Sequence, residues 1–111
     1  MSLKGKIVLV HFPFTDLRAT KLRPALVLYE GKDDVVVAFI SSRLEKFEPK
    51  TDVLVERSHL EFKVTGLKVS SIIKLNKIAT VHKGLLAGIL GEVGDLLKEE
   101  INVKLCNTLR L

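Results

Sequence analysis

The sequence predicts a mainly β, α+β chain: a small closed or half-closed barrel with one helix attached at the C-terminus. Three observations predict it. Short apolar, β-branched runs recur between residues 6 and 93, parted by turn residues, at about six positions. The period then changes, and Val93, Leu96, Leu97, Ile101, Leu105 and Leu109 recur at helical spacing. Finally, 111 residues with 47% hydrophobic content suffice for one core without staples. The expected layout is a single domain over 1–111, with the barrel over about 5–93 and the helix over about 94–109.

Each element has its own signal. KIVLVHF (6–12) is short and β-branched, so a strand. FPFTDLRATKL (12–22) carries a proline and turn residues with little apolar periodicity, so a loop, and a long one for a hairpin. RPALVLYE (23–30) is a second strand, with Pro24 confined to its first residues or to an edge. EGKDD (30–34) is a tight turn, and VVVAFISS (35–42) is the most apolar strand. A polar loop (43–51) leads to the alternating strand DVLVE (52–56). Residues 57–68 have room for one helical turn. KVSSIIKLNKIATV (68–81) reads as one bent strand or two short ones, broken near Asn76 and Lys77. LLAGILGEV (85–93) is a last strand with glycines at bends. Gly94 and Asp95 suit a helix start, where the aspartate charge meets the positive end of the dipole.

Composition removes several function classes. The single cysteine, Cys106, forms no internal disulfide and builds no cysteine metal centre, which fits a reducing, cytoplasmic setting. His11, His59 and His82 lack ligand spacing. No Gly-rich phosphate loop or dinucleotide fingerprint occurs, so no cofactor and no metal are expected. No stretch approaches the roughly 20 apolar residues of a membrane span, and the N-terminus lacks a signal-peptide pattern. The net charge of +5 makes a polyanion a candidate partner, if the charge gathers in one place.

The stretch KLRPALVL (21–28) suggests where it gathers. If the second and third strands pair through the turn at 31–33, residue 28 faces 36 and Arg23 faces Ser41. A guanidinium beside a hydroxyl grips a phosphate with a forked cation and a neutral donor. Arg18 and Lys21 in the preceding loop, and Ser42 and Arg43 after the third strand, belong to the same end. The alternative is that Arg23 and Arg43 are solvated strand-end cations and the serines turn residues.

Taken in order, GKIVLVHFPFTD, KLRPALVL, VVVAFISSR and GLKVSSIIKLNKIATV resemble the PemK/MazF family of toxin–antitoxin ribonucleases. The resemblance covers nearly the whole chain. It implies an SH3-like barrel with a C-terminal helix, usually a homodimer. It also implies metal-independent cleavage of single-stranded RNA and neutralisation by a cognate antitoxin. The arginine of the Arg-Pro pair and the hydroxyl at the end of the third strand are then the main catalytic residues, here Arg23 and Ser41. Some members carry an Arg-x-Asp pair on the later long strand; Lys74 and Asn76 stand there instead. Lys74 is left as a point-charge phosphate contact, whereas Asn76 is no general base.

Cleavage of this kind uses the neighbouring 2′-OH as nucleophile, so DNA is expected to bind without being cut. Arg23 would stabilise the phosphorane and Ser41 would donate to a non-bridging oxygen. His11 is a candidate base or substrate contact and Phe14 a candidate base-stacking side chain. Packing explains His11 and Phe12 as well; Asp16 is a candidate to orient Arg18 or Arg23, and turn chemistry explains it equally well. Two other readings stand beside the nuclease: an RNA- or antitoxin-binding barrel with weak or no catalysis, and a plain protein-interaction module.

Overall fold

Among the described residues, six antiparallel strands run in the spatial order β4-β5-β3-β2-β1-β6. The computed structural model describes residues 2–13 and 20–111. The strands are β1 (Lys6–Pro13), β2 (Thr20–Glu30), β3 (Asp34–Ser41), β4 (Asp52–Val55), β5 (Ser71–His82) and β6 (Leu86–Glu92). A one-turn helix α1 (Phe62–Thr65) follows β4, and α2 (Asp95–Leu109) ends the fold. Both strands of the first hairpin run further than the sequence suggests. β1 reaches Pro13 and β2 begins at Thr20, so residues expected in a loop pair as Pro13 with Thr20 and Phe12 with Lys21. The ladder compensates backbone groups that loop chemistry alone would leave to water.

Apolar residues on alternate positions form two clusters, on opposite faces of the strands. One holds Ile7, Leu26, Ala38, Ile40, Val53, Ile73 and Leu75 with Leu97 and Ile101 of α2. The other holds Val8, Val10, Ala25, Val27, Val35, Val37 and Val81. Burial of both faces explains why β1 and β3 read as unbroken apolar runs rather than as alternation. Leu3, unassigned from sequence, packs against the second cluster, and its N–H donates to Glu30 at 2.7 Å.

The helix stripe is narrower than its spacing predicts. Leu97 and Ile101 are buried and Leu105 is half-buried, while Leu96 and Leu109 are 54% and 61% exposed. A helix lying on a curved sheet touches it with a strip about two residues wide per turn, so flanking leucines stay outside. Its N-terminus is held from a distance: the Glu61 carboxylate accepts the Leu96 and Leu97 N–H groups, each at 2.9 Å. Burial alone would raise the Glu61 carboxyl, but these two amides, with His59 and Lys98 nearby, hold it below the usual carboxylate range.

The curl of the sheet brings α1 against β6. Gly66 ends α1 in the left-handed region at φ 74°, and a Cβ there would run into the Leu90 carbonyl. Gly91 sits as tightly against the backbone of Val64 and Thr65. These two close approaches half-close the barrel and fix one wall of the cleft described next.

Candidate active site

The β2–β3 register places the site. Ala25 lies opposite Phe39 and Val27 opposite Val37. Carried two residues further, this register sets Arg23 opposite Ser41. The expected pairing at the turn differs by one residue, since Glu30 faces Val35 and Tyr29 faces Val36. A one-residue bulge at Leu28 absorbs the difference, so the far end of the hairpin lands on the expected register.

Arg23 and Ser41 sit where two depressions meet. Both depressions are lined by Arg23, Ile40, Ser41 and Arg43. One, about 410 Å³, adds Phe39, Lys46, Lys74 and Lys77. The other, about 490 Å³, adds Lys21 and Ser42, Lys68 and Ser71, and an apolar set of Leu9, Leu22, Pro24, Leu67, Val69 and Leu90. Among the described residues neither depression is lined by an aspartate, glutamate or histidine. The basic excess of the chain therefore has a focus, on low-dielectric strand ends where an anion is held more strongly than in open water.

Ser41 is oriented by its own turn. Its Oγ accepts the Arg43 N–H at 3.1 Å, which leaves the hydroxyl proton to donate elsewhere. Arg43 begins the 3-10 turn Leu44–Lys46, which sends Lys46 back to the same cleft. This segment is clamped by charge from below. Lys74 Nζ donates to Asp52 Oδ2 at 2.6 Å and to the Lys46 carbonyl at 3.0 Å. The Lys74 and Asp52 side chains are 8% and 0% exposed. Asp52 also accepts from the Glu48 N–H at 2.8 Å and from Thr51 Oγ1 at 3.0 Å. From α2, Lys104 Nζ donates to the Asp52 carbonyl at 2.8 Å and also to the Pro49 carbonyl.

The expected site residues divide accordingly. Arg23, Ser41, Lys21, Ser42 and Arg43 come together. Lys74 reaches the cleft wall, but its ammonium is directed inward to Asp52 rather than outward as a phosphate contact. The cause is depth: β5 pairs with β4 and β3 at residue 74, so the side chain lies under the loop and meets the buried Asp52. Asn76 is exposed and lines neither depression: β5 bulges between Lys74 opposite Phe39 and Ile78 opposite Ala38, with Leu75 in the core and Asn76 and Lys77 exposed. His11 is half-buried opposite Leu22 and lines neither depression. Phe14, Asp16 and Arg18 lie outside the described residues, as does the Phe12 side chain. Sequence reading missed Lys46, Lys68, Lys77 and the aliphatic wall; only the 75–77 break offered a signal, since a strand that bulges there throws Lys77 toward the β3 end.

The chain is thus a small basic barrel that presents a forked cation and an oriented hydroxyl at a strand-end cleft. The chain belongs to the PemK-like, MazF-like toxins of type II toxin–antitoxin systems, whose family model matches residues 3–109. Among solved structures it is similar to a mycobacterial endoribonuclease in complex with its cognate antitoxin, with TM-score 0.76, 21% identity, and coverage of 100% of this chain and 97% of the other. The Mycobacterium tuberculosis toxin MazF-mt6 follows at TM-score 0.74 and 20% identity, covering 96% of this chain and 97% of that one. A further mycobacterial endoribonuclease has TM-score 0.72 and 20% identity, covering 99% and 92%. No curated protein matches the sequence significantly. No helix among the described residues is long and apolar enough to cross a membrane.

Proposed function

We propose that this toxin is a metal-independent endoribonuclease that cuts single-stranded RNA at the junction marked by Arg23 and Ser41. The carrying observation is that both residues line both depressions at one strand end, with cations around them. The 2′-oxygen forms a bond to phosphorus and loses its proton, while the bond to the 5′-oxygen breaks and that oxygen gains one. The products are a 2′,3′-cyclic phosphate and a 5′-OH. The nucleophile belongs to the substrate, so no bound metal is needed to make one. Arg23, always charged, stabilises the phosphorane, and Ser41 donates to a non-bridging oxygen. With no carboxylate or imidazole among the described lining residues, rate enhancement rests on this electrostatic stabilisation and on in-line positioning.

The chain works in the cytoplasm as a homodimer, and its antitoxin inhibits it by laying an acidic segment that folds on binding over the basic cleft. One observation favours a second reading, a barrel that binds RNA or antitoxin but cuts weakly. Lys74 is committed to Asp52, and Asn76 lies away from the cleft. Incubation of the purified protein with single-stranded RNA in EDTA, with mapping of ends, decides between them. Cleavage leaving cyclic phosphates, blocked by a 2′-deoxy nucleotide at the cut site and reduced about 100-fold or more in Arg23→Ala, supports the nuclease. Cutting unchanged in Arg23→Ala and Ser41→Ala refutes the site. Salt-sensitive binding without cutting supports the second reading.

A further inference from the structure

We propose that Lys104 is a positioning residue of the toxin: from α2 it fixes the segment between β3 and β4, and so sets where Arg43 and Lys46 stand in the cleft. This rests on the cleft being the RNA site. Lys104 lies on the inner stripe of α2, three residues after the buried Ile101 and seven after the buried Leu97. A helix ordinarily gives such a position to an apolar side chain, or lets a lysine run its stem along the core and its ammonium out to water. The Lys104 ammonium turns to the protein instead. It donates to the carbonyls of Pro49 and Asp52, the latter at 2.8 Å, and stands 5.7 Å from the centre of the Phe47 ring.

The segment it meets leads to the cleft. Residues 42–51 lie between β3 and β4, outside the sheet ladders, so side chains from other elements decide where they sit. Two short turns make up this span. In the second, the Glu48 carbonyl accepts the Thr51 N–H at 3.1 Å and the Asp52 N–H at 2.8 Å, and the Glu48 N–H donates to Asp52 Oδ2 at 2.8 Å. Lys104 holds that turn at two carbonyls, so it cannot swing about either one. In the first, the Arg43 and Leu44 carbonyls accept the Lys46 and Phe47 N–H groups, each at 3.1 Å. Phe47 joins the two turns, and its ring faces the Lys104 ammonium. A shift of Phe47 therefore carries Lys46 and Arg43, both of which line the cationic depression. Lys74 holds the cleft side of the same span at the Lys46 carbonyl, and Lys104 holds the side toward α2. Lys104 itself lines neither depression, so it acts on the substrate through this span.

The test does not depend on cleavage. Binding of a fluorescent single-stranded 2′-deoxy oligonucleotide is measured by anisotropy, beside hydrogen–deuterium exchange of the free protein, both well below the Tm of each variant. The variants are Lys104→Met, Lys104→Arg and Lys98→Met. The last removes the same charge from α2 at a side chain that lines neither depression of the cleft. Lys104→Met is expected to weaken binding about three- to tenfold and to speed exchange at the Lys46 and Phe47 amides as well as at Thr51 and Asp52. Lys104→Arg, whose guanidinium can serve two carbonyls and an aromatic face, restores both, and Lys98→Met changes neither. Unchanged affinity in Lys104→Met overturns the proposal, whatever the exchange shows, and leaves Lys104 a local structural tie. Faster exchange confined to 48–52 overturns it too, because the turn that carries Arg43 and Lys46 has not moved. Equal weakening by Lys98→Met also overturns it and assigns the effect to the charge of the helix. A wild type that does not bind the oligonucleotide sinks the RNA reading itself, a failure seen before any substitution is made.

Discussion

Replacing Lys74 by methionine tests the least expected feature of the site. The change keeps a long unbranched side chain but deletes the ammonium that contacts Asp52 at 2.6 Å and the Lys46 carbonyl at 3.0 Å. Asp52 is then a fully buried carboxylate with only the Glu48 N–H and Thr51 hydroxyl beside it. Breaking a buried pair from one side costs about 3–5 kcal/mol, and the two remaining donors favour the lower part of that range. At roughly 4 °C per kcal/mol for a chain of this size, Tm falls by about 12–16 °C. Lys74→Met with Asp52→Asn recovers a large part, because the uncharged amide keeps an acceptor for the Glu48 N–H and leaves no buried charge. Urea and thermal unfolding of the wild type, both single variants and the double variant give the coupling energy directly. A Lys74→Met cost below about 1 kcal/mol, the size of an exposed ion pair, would refute the buried clamp. Lys74 would then be a surface cation facing the substrate.

Other expectations follow from the same geometry. Lys77→Ala lowers the slope of log affinity for single-stranded RNA against log salt by about 0.7, since Lys77 lines the cationic depression; an unchanged slope in a salt titration removes it from the phosphate path. Glu61→Gln lowers Tm at pH 7, and the gap from wild type narrows as pH falls through and below about 4.3. The sign follows from the lowered folded-state value: the Glu61 contribution is full above the unfolded value and is lost as the carboxylate protonates. A gap constant from pH 7 to pH 3 would show that the Leu96 and Leu97 amides do not depend on that charge. Gly66→Ala destabilises by about 2 kcal/mol or more in urea unfolding, combining left-handed backbone cost with the Leu90 carbonyl contact. A near-neutral change would mean that α1 is not wedged against β6.

Much of this was legible because strands carry local signals. The turn after Glu30, the apolar run at 35–40 and the break at Asn76–Lys77 all mark real features: a hairpin, a strand buried on both faces, and a bulge in the continuous strand β5. The Arg23–Ser41 juxtaposition was legible through counting, yet two departures had to cancel, a longer turn and a bulge at Leu28. Neither leaves a mark in a period-two pattern, which records face but not stagger. The Lys74–Asp52 pair was out of reach for another reason. Both residues look like surface charges in sequence, on strands 22 residues apart, and only the β4–β5 ladder, which sets Asp52 opposite Lys74, makes them partners. The aliphatic wall was hidden similarly, since Leu22, Leu67, Val69 and Leu90 converge from three separate segments.

The clamp and the cleft also bear on each other electrostatically. Arg23, Arg43, Lys46 and Lys77 gather around one depression, and mutual repulsion makes that arrangement costly unless something holds the backbone beneath it. The loop carrying Arg43 and Lys46 is held by Asp52, a carboxylate just behind the cationic wall. An unpaired anion there would draw down the positive potential that attracts a phosphate. Lys74 supplies the compensating charge at 2.6 Å, so the loop is anchored by an acid while the cleft keeps its net sign. On the proposed function, Lys74 would support RNA binding through Asp52 rather than through a phosphate contact. Its loss should weaken affinity while leaving the salt slope unchanged, since no phosphate contact has been removed, and Asp52→Asn in the same chain should restore affinity. A direct phosphate contact would behave in the opposite way: the slope would fall and Asp52→Asn would restore nothing.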